Sequence, residues 1–248
     1  MQRYFIELAY NGEDYHGWQR QPKEISVQEV IEDNLTKLNS NNEVKVVGCG
    51  RTDSGVHAQH FILHTEITMI EDVDRFVFKL NRMLPQSIAI YNMFAVKPDS
   101  HARFDATART YRYFIHKHKD PFKQGQSWLV KAPLDFEKMN EAAKYLLGKQ
   151  DFTSLSKIHT DVKTNICNVK VARWVQLENG VYYFEITADR FLRNMVRATV
   201  GTLIDIGTGK SKPENMRSIL DAMDRQAAST SVPARGLFLW KVEYAKNI

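Results

Sequence analysis

Cysteine is scarce in this sequence, and long apolar runs are missing from it. Only Cys49 and Cys167 occur, too few for a disulfide framework and without the paired spacing of a zinc site. No apolar run reaches the roughly 20 residues of a membrane-spanning helix, and the opening MQRYFIELAY resembles a strand rather than a signal peptide. We therefore expect a cytoplasmic protein with no membrane segment and two reduced, buried thiols.

The composition is that of a folded protein with an excess of positive charge. Hydrophobic residues make up 43% and charged residues 25% of the 248 positions, enough for two modest cores or one large one. Lys and Arg outnumber Asp and Glu by 34 to 29. This balance suits a polyanionic partner without identifying one, so the placement of basic and aromatic residues has to decide.

Hydrophobic periodicity predicts the order βαββαβ in the first half of the chain and the same order, with one additional short helix, in the second. The first half is predicted as strand, helix, two strands, helix and strand, at residues 3–10, 27–39, 44–48, 60–67, 72–84 and 88–96. The second half is predicted as strand, helix, two strands, two helices and strand, at residues 110–117, 136–148, 166–177, 181–188, 191–207, 213–224 and 237–244. We therefore predict an α+β fold of two related halves, 1–104 and 105–248, with mostly antiparallel sheets joined side by side around a cleft.

The stretch GCGRTDSGVHA at residues 48–58 places one carboxylate, Asp53, among three glycines. An isolated Asp-Ser-Gly is often a solvated turn, but Arg51 and His57 crowd this one, and its glycines indicate close approach to the backbone. The loop also resembles that of aspartic proteases. However, the chain has no second copy to supply the paired acid, and Arg51 would hold Asp53 ionised. The sequence therefore predicts a functional site at Asp53.

Arginines and tyrosines alternate in the predicted strand that contains ARTYRY. Arg109, Tyr111 and Tyr113 share one face of it, and Arg112 and Phe114 share the other. A core position explains at least one of the two tyrosines. The alternative is a tyrosine ring on which a base stacks, beside arginines that contact phosphate.

Three arginines follow a helical spacing in RFLRNMVRATVG. Arg190, Arg193 and Arg197 stand at i, i+3 and i+7, and a solvated charged face is the usual explanation for such a run. Apolar neighbours on both sides of Arg197 predict a partly buried stem and a paired guanidinium. Asp53 is the candidate partner.

The segment YHGWQRQ is a polar loop with a glycine hinge. It contains His16, Trp18, Gln19 and Arg20. A single tryptophan in a loop is more often a packing anchor than a ligand platform. The arginine and glutamines beside it make contact with nucleic acid a competing interpretation.

Together these motifs resemble the TruA-type tRNA pseudouridine synthases. The resemblance covers nearly the whole chain and is carried, in order, by YHGWQRQ, GCGRTDSGVHA, HARFDATARTYRY, DFTSLS, RFLRNMVRATVG and GLFLWKVEY. It implies a homodimer that isomerises uridine to pseudouridine at positions 38, 39 and 40 of the tRNA anticodon stem-loop. It also implies that the reaction needs no cofactor or metal, and that the cleft between the halves is basic and binds RNA.

The resemblance also assigns roles to particular residues. Asp53 corresponds to the catalytic aspartate, Arg51 to the arginine that helps hold the flipped nucleotide, Tyr111 to the tyrosine that packs on the target base, and Arg197 to the arginine that pairs with the aspartate. Charge and position add further RNA-binding candidates, which are His16, Trp18, Gln19, Arg20, His57, Arg103, Arg109 and Arg193.

Two alternatives remain open at this point. The same chemistry could act on a different RNA, or the protein could bind tRNA without catalysis, although Asp53 and Arg197 are both present. An RNA base deaminase would need a zinc-binding Cys and His constellation, which two distant cysteines do not supply.

Overall fold

The computed structural model describes residues 1–157 and 164–245. The chain forms two compact units. The first contains Met1–Thr107 together with the chain from Phe238 onward, and the second contains Ala108–Leu237. The predicted division at 104/105 lies three residues before this boundary, whereas the last strand, expected in the C-terminal half, groups with the first unit.

The first unit has the predicted order βαββαβ. Its elements are β1 (Gln2–Tyr10), α1 (Val27–Leu38), β2 (Val46–Gly48), β3 (His57–Ile67), α2 (Val73–Met83) and β4 (Ile88–Ala95). Ser26 caps α1 by accepting a hydrogen bond from the Glu29 backbone N–H at 3.2 Å. Asp72 caps α2 in the same way with Arg75, at 2.9 Å. These local signals explain why the helix positions agree with those predicted from the sequence.

The second half of the chain contains every predicted element and two short strands that were not predicted. Its elements are β5 (Ala106–His116), β6 (Trp128–Leu129), α3 (Phe136–Lys144), β7 (Gly148–Asp151), β8 (Ile166–Gln176), β9 (Val181–Ala188), α4 (Met195–Gly207) and α5 (Asn215–Ala222), and β10 (Leu237–Tyr244) follows them in the chain. Strands β6 and β7 were missed because, at two and four residues, they are too short to show a recognisable alternation of apolar and polar residues. Between β8 and β9, Asn179 and Gly180 adopt positive φ, so the predicted turn is confirmed.

The prediction of the long helix was wrong at its start. The structure begins α4 at Met195, because Asn194 has a φ of 67°, in the left-handed region that a right-handed helix cannot pass through. Arg190 and Arg193 therefore precede the helix, and only Arg197 of the three arginines lies on it. The basic helical edge expected from their spacing does not exist.

Each unit contains a mostly antiparallel sheet, which confirms the predicted α+β class. In the first, the strand order is β4-β1-β3-β10, with β2 also on β3, and only the β3–β10 pair is parallel. In the second, β9 lies between β5 and β8, β7 pairs with β8, and β6 joins β5 in parallel. Cys49 and Cys167 are buried, as predicted. Among the described residues, no helix is long and apolar enough to cross a membrane.

Candidate active site

Asp53 lies in the loop that joins β2 to β3. Its side chain is partly exposed, while Thr52 before it is buried and hydrogen-bonds the Tyr10 hydroxyl at 2.8 Å. The Asp53 carbonyl accepts a hydrogen bond from the Val56 N–H at 3.2 Å, which closes a turn around the residue. Arg51 is exposed on the same loop. The loop therefore presents a carboxylate and a guanidinium group at its surface, while hydrogen bonds hold the neighbouring residues Thr52 and Val56 in place.

A second backbone segment, residues 11–18, supports the Asp53 loop from one side. The Trp18 N–H donates to the Thr52 carbonyl, and the Gly55 N–H donates to the Tyr15 carbonyl, each at 3.2 Å. A Cβ on Gly17, whose φ is +90°, would lie 2.5 Å from the Thr52 carbonyl oxygen. Only glycine permits such an approach of two backbones, so the HGW sequence is part of the scaffold that holds Asp53.

The three glycines around Asp53 have different physical reasons. A Cβ on Gly48 would lie 2.7 Å from ring atoms of both Trp18 and Phe61, so only a residue without a side chain leaves room for these two rings. Gly55 adopts a φ of 73°, which L residues rarely adopt. A Cβ on Gly50 would meet no atom within 4 Å, so this glycine opens onto unfilled space.

Two of the predicted RNA-binding residues are core residues. Trp18 is 3% exposed and stacks on Phe61 with ring centroids 4.0 Å apart. His57 is 1% exposed, accepts a hydrogen bond from the Gly12 N–H at 3.0 Å and stacks on Phe238. Burial removes both from the RNA-binding set, because neither ring can meet a nucleotide without unpacking the unit. The packing interpretation of Trp18 is the one that the structure supports.

The other polar residues of YHGWQRQ lie at the surface. Arg20 forms ion pairs with three acids of α1, Glu29, Glu32 and Asp33, at 3.4 to 3.6 Å, which offset its charge. His16 contacts Glu24, with 3.0 Å between Nδ1 and a carboxylate oxygen. Gln19 is exposed. Arg103, also exposed, lies over the Phe104 ring, with 5.6 Å from the guanidinium carbon to the centroid.

Tyr111 lies in the middle of β5 in the second unit and is partly exposed. The Phe191 ring meets it edge to face, with centroids 4.9 Å apart. Sequence reasoning missed Phe191, because its partner Tyr111 is distant in the chain. Tyr113, two residues further along β5, is fully buried and donates its hydroxyl to the Pro233 carbonyl at 2.8 Å. The core interpretation thus holds for Tyr113, and burial raises the pKa of its hydroxyl.

The segment that precedes α4 is fixed by the backbone and side chain of Asp189. Its carbonyl accepts a hydrogen bond from Arg109 Nη1 at 2.8 Å, and its carboxylate accepts one from the Arg190 N–H at 2.7 Å. Arg193 is exposed, and its carbonyl accepts a hydrogen bond from the Lys157 N–H at 2.9 Å. Phe191 therefore meets Tyr111 from a segment held at several points.

Arg197 is partly exposed on α4 and is tied to the chain that precedes β10. Its Nε donates to the Val232 carbonyl at 2.8 Å, and the Val232 N–H donates back to the Arg197 carbonyl at 3.3 Å. A Cβ on Gly201 would lie 2.0 Å from the Thr230 carbonyl oxygen, so the helix and this segment are in backbone contact. Arg225 also donates to the Ser229 carbonyl, at 3.0 Å. These contacts hold the Arg197 side chain in place on α4.

The proposed catalytic residues fall into two groups by unit. Arg51 and Asp53 share one loop of the first unit, and Tyr111 and Arg197 belong to the second. Within residues 1–157 and 164–245, no group of His, Cys, Asp and Glu side chains is arranged to hold a metal ion.

Comparison with known proteins decides the assignment. The family model described as tRNA pseudouridine synthase matches residues 8–105 and 142–245. The chain belongs to the tRNA pseudouridine synthase family. The tRNA pseudouridine synthase A of Bacteroides fragilis is 51% identical over 249 residues, covering 100% of this chain and 98% of the relative. That of Bacillus subtilis is 38% identical over 240 residues, covering 96% and 97%.

Membership of this tRNA pseudouridine synthase family confirms the resemblance and the enzyme class predicted from the sequence, an RNA-uridine isomerase. Among solved structures, a Cbf5-Nop10-Gar1 complex matches 82% of this chain and 54% of its own at 12% identity, with a TM-score of 0.35. A likeness at that level adds nothing to the assignment, which depends on the family model and the sequence relatives.

Proposed function

We propose that this protein converts uridine to pseudouridine at positions 38, 39 and 40 of the tRNA anticodon stem-loop, with Asp53 as the catalytic carboxylate. The observation that carries this proposal is the setting of Asp53. It is a partly exposed acid on a loop whose backbone packs against a second glycine-containing segment. The relatives in Bacteroides fragilis and Bacillus subtilis are both named tRNA pseudouridine synthase A, which supports tRNA as the substrate.

The reaction is an isomerisation, so nothing is added to the RNA. The bond from C1′ to N1 breaks, the uracil rotates while it is held, and a bond from C1′ to C5 forms. C5 then loses its proton and N1 gains one. The Asp53 carboxylate can serve by attacking C1′, by attacking C6 or by removing a sugar proton. Each route needs an ionised carboxylate held at a fixed distance from the sugar or base, which a locked loop provides.

The remaining catalytic roles follow the resemblance. Arg51, exposed on the Asp53 loop, helps hold the nucleotide after it leaves its stack, a step that costs a few kcal/mol. Tyr111 offers a ring face to the target base, and Phe191 fixes the orientation of that ring through its edge contact. Arg197 is the cation that pairs with the catalytic carboxylate and holds it in position.

Phosphate contacts are assigned to exposed basic side chains. Arg103 and Arg193 are exposed, and Arg109 is partly exposed. Arg20, Gln19 and His16 belong to the same proposed surface, although the acids of α1 offset much of the charge of Arg20. We further infer that the protein works in the cytoplasm, and that it is a homodimer, as the resemblance implies.

Asp53→Asn tests the proposal because it removes the anionic carboxylate and preserves the size of the side chain. We expect no detectable pseudouridine formation, tRNA affinity within a few fold of wild type, and an unchanged melting temperature. Ser54→Ala is the matched control on the same loop, where only the hydrogen bond from Ser54 Oγ to the Tyr15 carbonyl is lost. Activity of Asp53→Asn near the wild-type level would refute the assignment.

Mapping pseudouridine in RNA from cells with and without the gene identifies the target. Loss of pseudouridine at tRNA positions 38 to 40 is the expected result. Loss at other uridines would support the same chemistry on a different RNA. No change at any uridine would support a catalytically silent tRNA-binding protein.

A further inference from the structure

The loop between β5 and β6, residues 117–127, directly follows the Arg- and Tyr-rich strand. The proposed catalytic site does not use the basic residues of this loop. Both ends of the loop are fixed to β5. His116 Nδ1 lies 2.9 Å from Ser127 Oγ, and the Val130 N–H donates to the His116 carbonyl at 3.0 Å. Parallel pairing of Ile115 with Trp128 holds the same point. The loop therefore has a rigid base.

The tip of this loop is an ordered turn with an aromatic residue on it. The Lys123 N–H donates to the Asp120 carbonyl at 3.3 Å, and the Phe122 N–H donates to Asp120 Oδ1 at 2.9 Å. Pro121 occupies the second turn position, where its fixed φ suits the turn. The side-chain hydrogen bond from Lys123 lowers the pKa of Asp120, and the N–H of Phe122 adds to the effect. Asp120 therefore stays ionised and keeps the turn closed.

Phe122 is 94% exposed, more than any other large hydrophobic side chain of the described chain. Single exposed apolar residues are common and usually carry no meaning. Here, however, the ring belongs to a closed turn, and Lys119, three residues earlier in the same loop, is also exposed. The other nearby lysines are engaged, since Lys117 bonds the Ala132 carbonyl and Lys123 bonds Asp120. This loop thus carries an exposed aromatic ring and an exposed ammonium group.

We infer that Phe122 stacks on an unpaired base of the tRNA substrate and that Lys119 contacts an adjacent phosphate, forming a second RNA contact outside the catalytic site. This inference rests on the proposed function for the identity of the substrate. Tyr111 lies five positions before His116 on β5, a span of about 17 Å at the usual strand rise. Both anchors of the loop, His116 and the Ile115–Trp128 pair, lie four to five positions past Tyr111 on β5, so we assign its contact to RNA other than the flipped nucleotide.

A nucleobase suits this surface better than a protein partner does. One base covers one aromatic ring by stacking, and stacking tolerates any base because every base has a π face. A stable protein interface buries about 1,200 Å² or more, which one side chain and a short turn do not supply. A preformed turn also loses little conformational freedom when the ring is covered.

Phe122→Ala tests the contact, with Phe78→Ala on α2 as the matched control because Phe78 is 62% exposed and has no proposed role. We expect Phe122→Ala to weaken tRNA binding about 5- to 150-fold, the range that corresponds to the loss of one stacked base. Phe78→Ala should change it less than about 2-fold. Phe122→Trp should bind like wild type, and every variant should keep the wild-type melting temperature. Lys119→Gln should reduce the slope of log affinity against log salt by about 0.7 to 0.9.

Three results would overturn the inference. Equal tRNA affinity of Phe122→Ala and Phe78→Ala would show that the ring makes no RNA contact. A changed sedimentation coefficient of Phe122→Ala at unchanged tRNA affinity would assign the ring to a protein contact instead. Failure of the wild-type protein to bind tRNA would refute the proposed function together with this inference. Because affinity is measured apart from turnover, wild-type modification of tRNA with an unaffected Phe122→Ala refutes the second contact alone.

Discussion

The two arginines of the proposed site differ in what their side chains do for the folded protein. Arg197 donates to the carbonyl of Val232, a residue only 4% exposed, whereas Arg51 projects from its loop. Arg197→Ala would leave that carbonyl without its donor. We expect it to cost about 1 to 3 kcal/mol of stability and to abolish turnover. Arg51→Ala should change stability by less than about 0.5 kcal/mol while slowing turnover, because it acts only on a bound nucleotide.

Thermal melting and single-turnover rates of the two variants separate these roles. Arg197→Lys is the matched control, since it keeps the positive charge but lacks the Nε donor. It should therefore share the lowered melting temperature and recover part of the activity. A destabilised Arg51→Ala beside an unaffected Arg197→Ala would show that the two assignments are reversed.

At the scale of elements, glycines decide how closely the Asp53 loop can pack. Gly17→Ala would force a left-handed φ on alanine and place its Cβ 2.5 Å from the Thr52 carbonyl oxygen. We expect a loss of about 1 to 3 kcal/mol in stability and lower activity. Gly50→Ala meets no atom within 4 Å, so it should melt like wild type. It should nevertheless lower kcat/KM, because the added methyl occupies the space that a nucleotide would enter.

Differential scanning calorimetry and steady-state kinetics on the two glycine variants distinguish two effects. One is the stability of the Asp53 loop, and the other is the access of a nucleotide to it. A Gly17→Ala variant as stable as wild type would mean that the segment 11–18 does not lock the loop. Full activity of Gly50→Ala would place the nucleotide elsewhere.

Local signals in the sequence explain which elements could be predicted. Ser26 and Asp72 each cap a helix through its own first turn, so the starts of α1 and α2 depend on neighbouring residues alone. The start of α4 depends on one left-handed residue, Asn194, and nothing in the surrounding periodicity reveals it. The arginine spacing therefore suggested a helical face that the backbone does not form.

The candidate site was predictable to a similar degree. Asp53 stood out because glycines and charge surround it within a few residues. The burial of Trp18 and His57 depends instead on Phe61 and Phe238, which reach them through the sheet. Burial is a property of tertiary packing, and a polar sequence neighbourhood does not report it. Phe191 was missed for the same reason, since its partner Tyr111 is distant in sequence.

For the molecule as a whole, histidines make the folded state sensitive to acid. His64 is buried, accepts a hydrogen bond from the Ala102 N–H, and has its pKa lowered from 6.5 to about 4, first by burial and then by nearby His101 and Arg3. The pKas of His60 and His116 are also lowered by burial. The unfolded chain thus binds more protons than the folded one, so stability is complete above about pH 6.5 and falls as the pH drops towards 4.

His64→Asn should flatten this dependence, because the amide oxygen that the substitution introduces can accept the same hydrogen bond without titrating. Melting temperatures measured between about pH 7.5 and 4.5, the range over which His64 gains its proton on unfolding, should fall less steeply for the variant than for wild type. His118→Asn is the control, since His118 is exposed. Parallel curves for His64→Asn and wild type would show that His64 does not contribute to the acid transition.

The position of β10 sets the order in which the protein can mature. The strand leaves the ribosome after Ala108–Leu237, yet it belongs to the first unit, where Phe238 and Leu239 pair with His57 and Ala58 at the start of β3. The nascent second unit can complete its own sheet while the first still lacks a strand beside the Asp53 loop. A chain released by premature termination before Phe238 would therefore carry Asp53 without this support. Translation must therefore pass β10 before the nascent polypeptide can become an active enzyme.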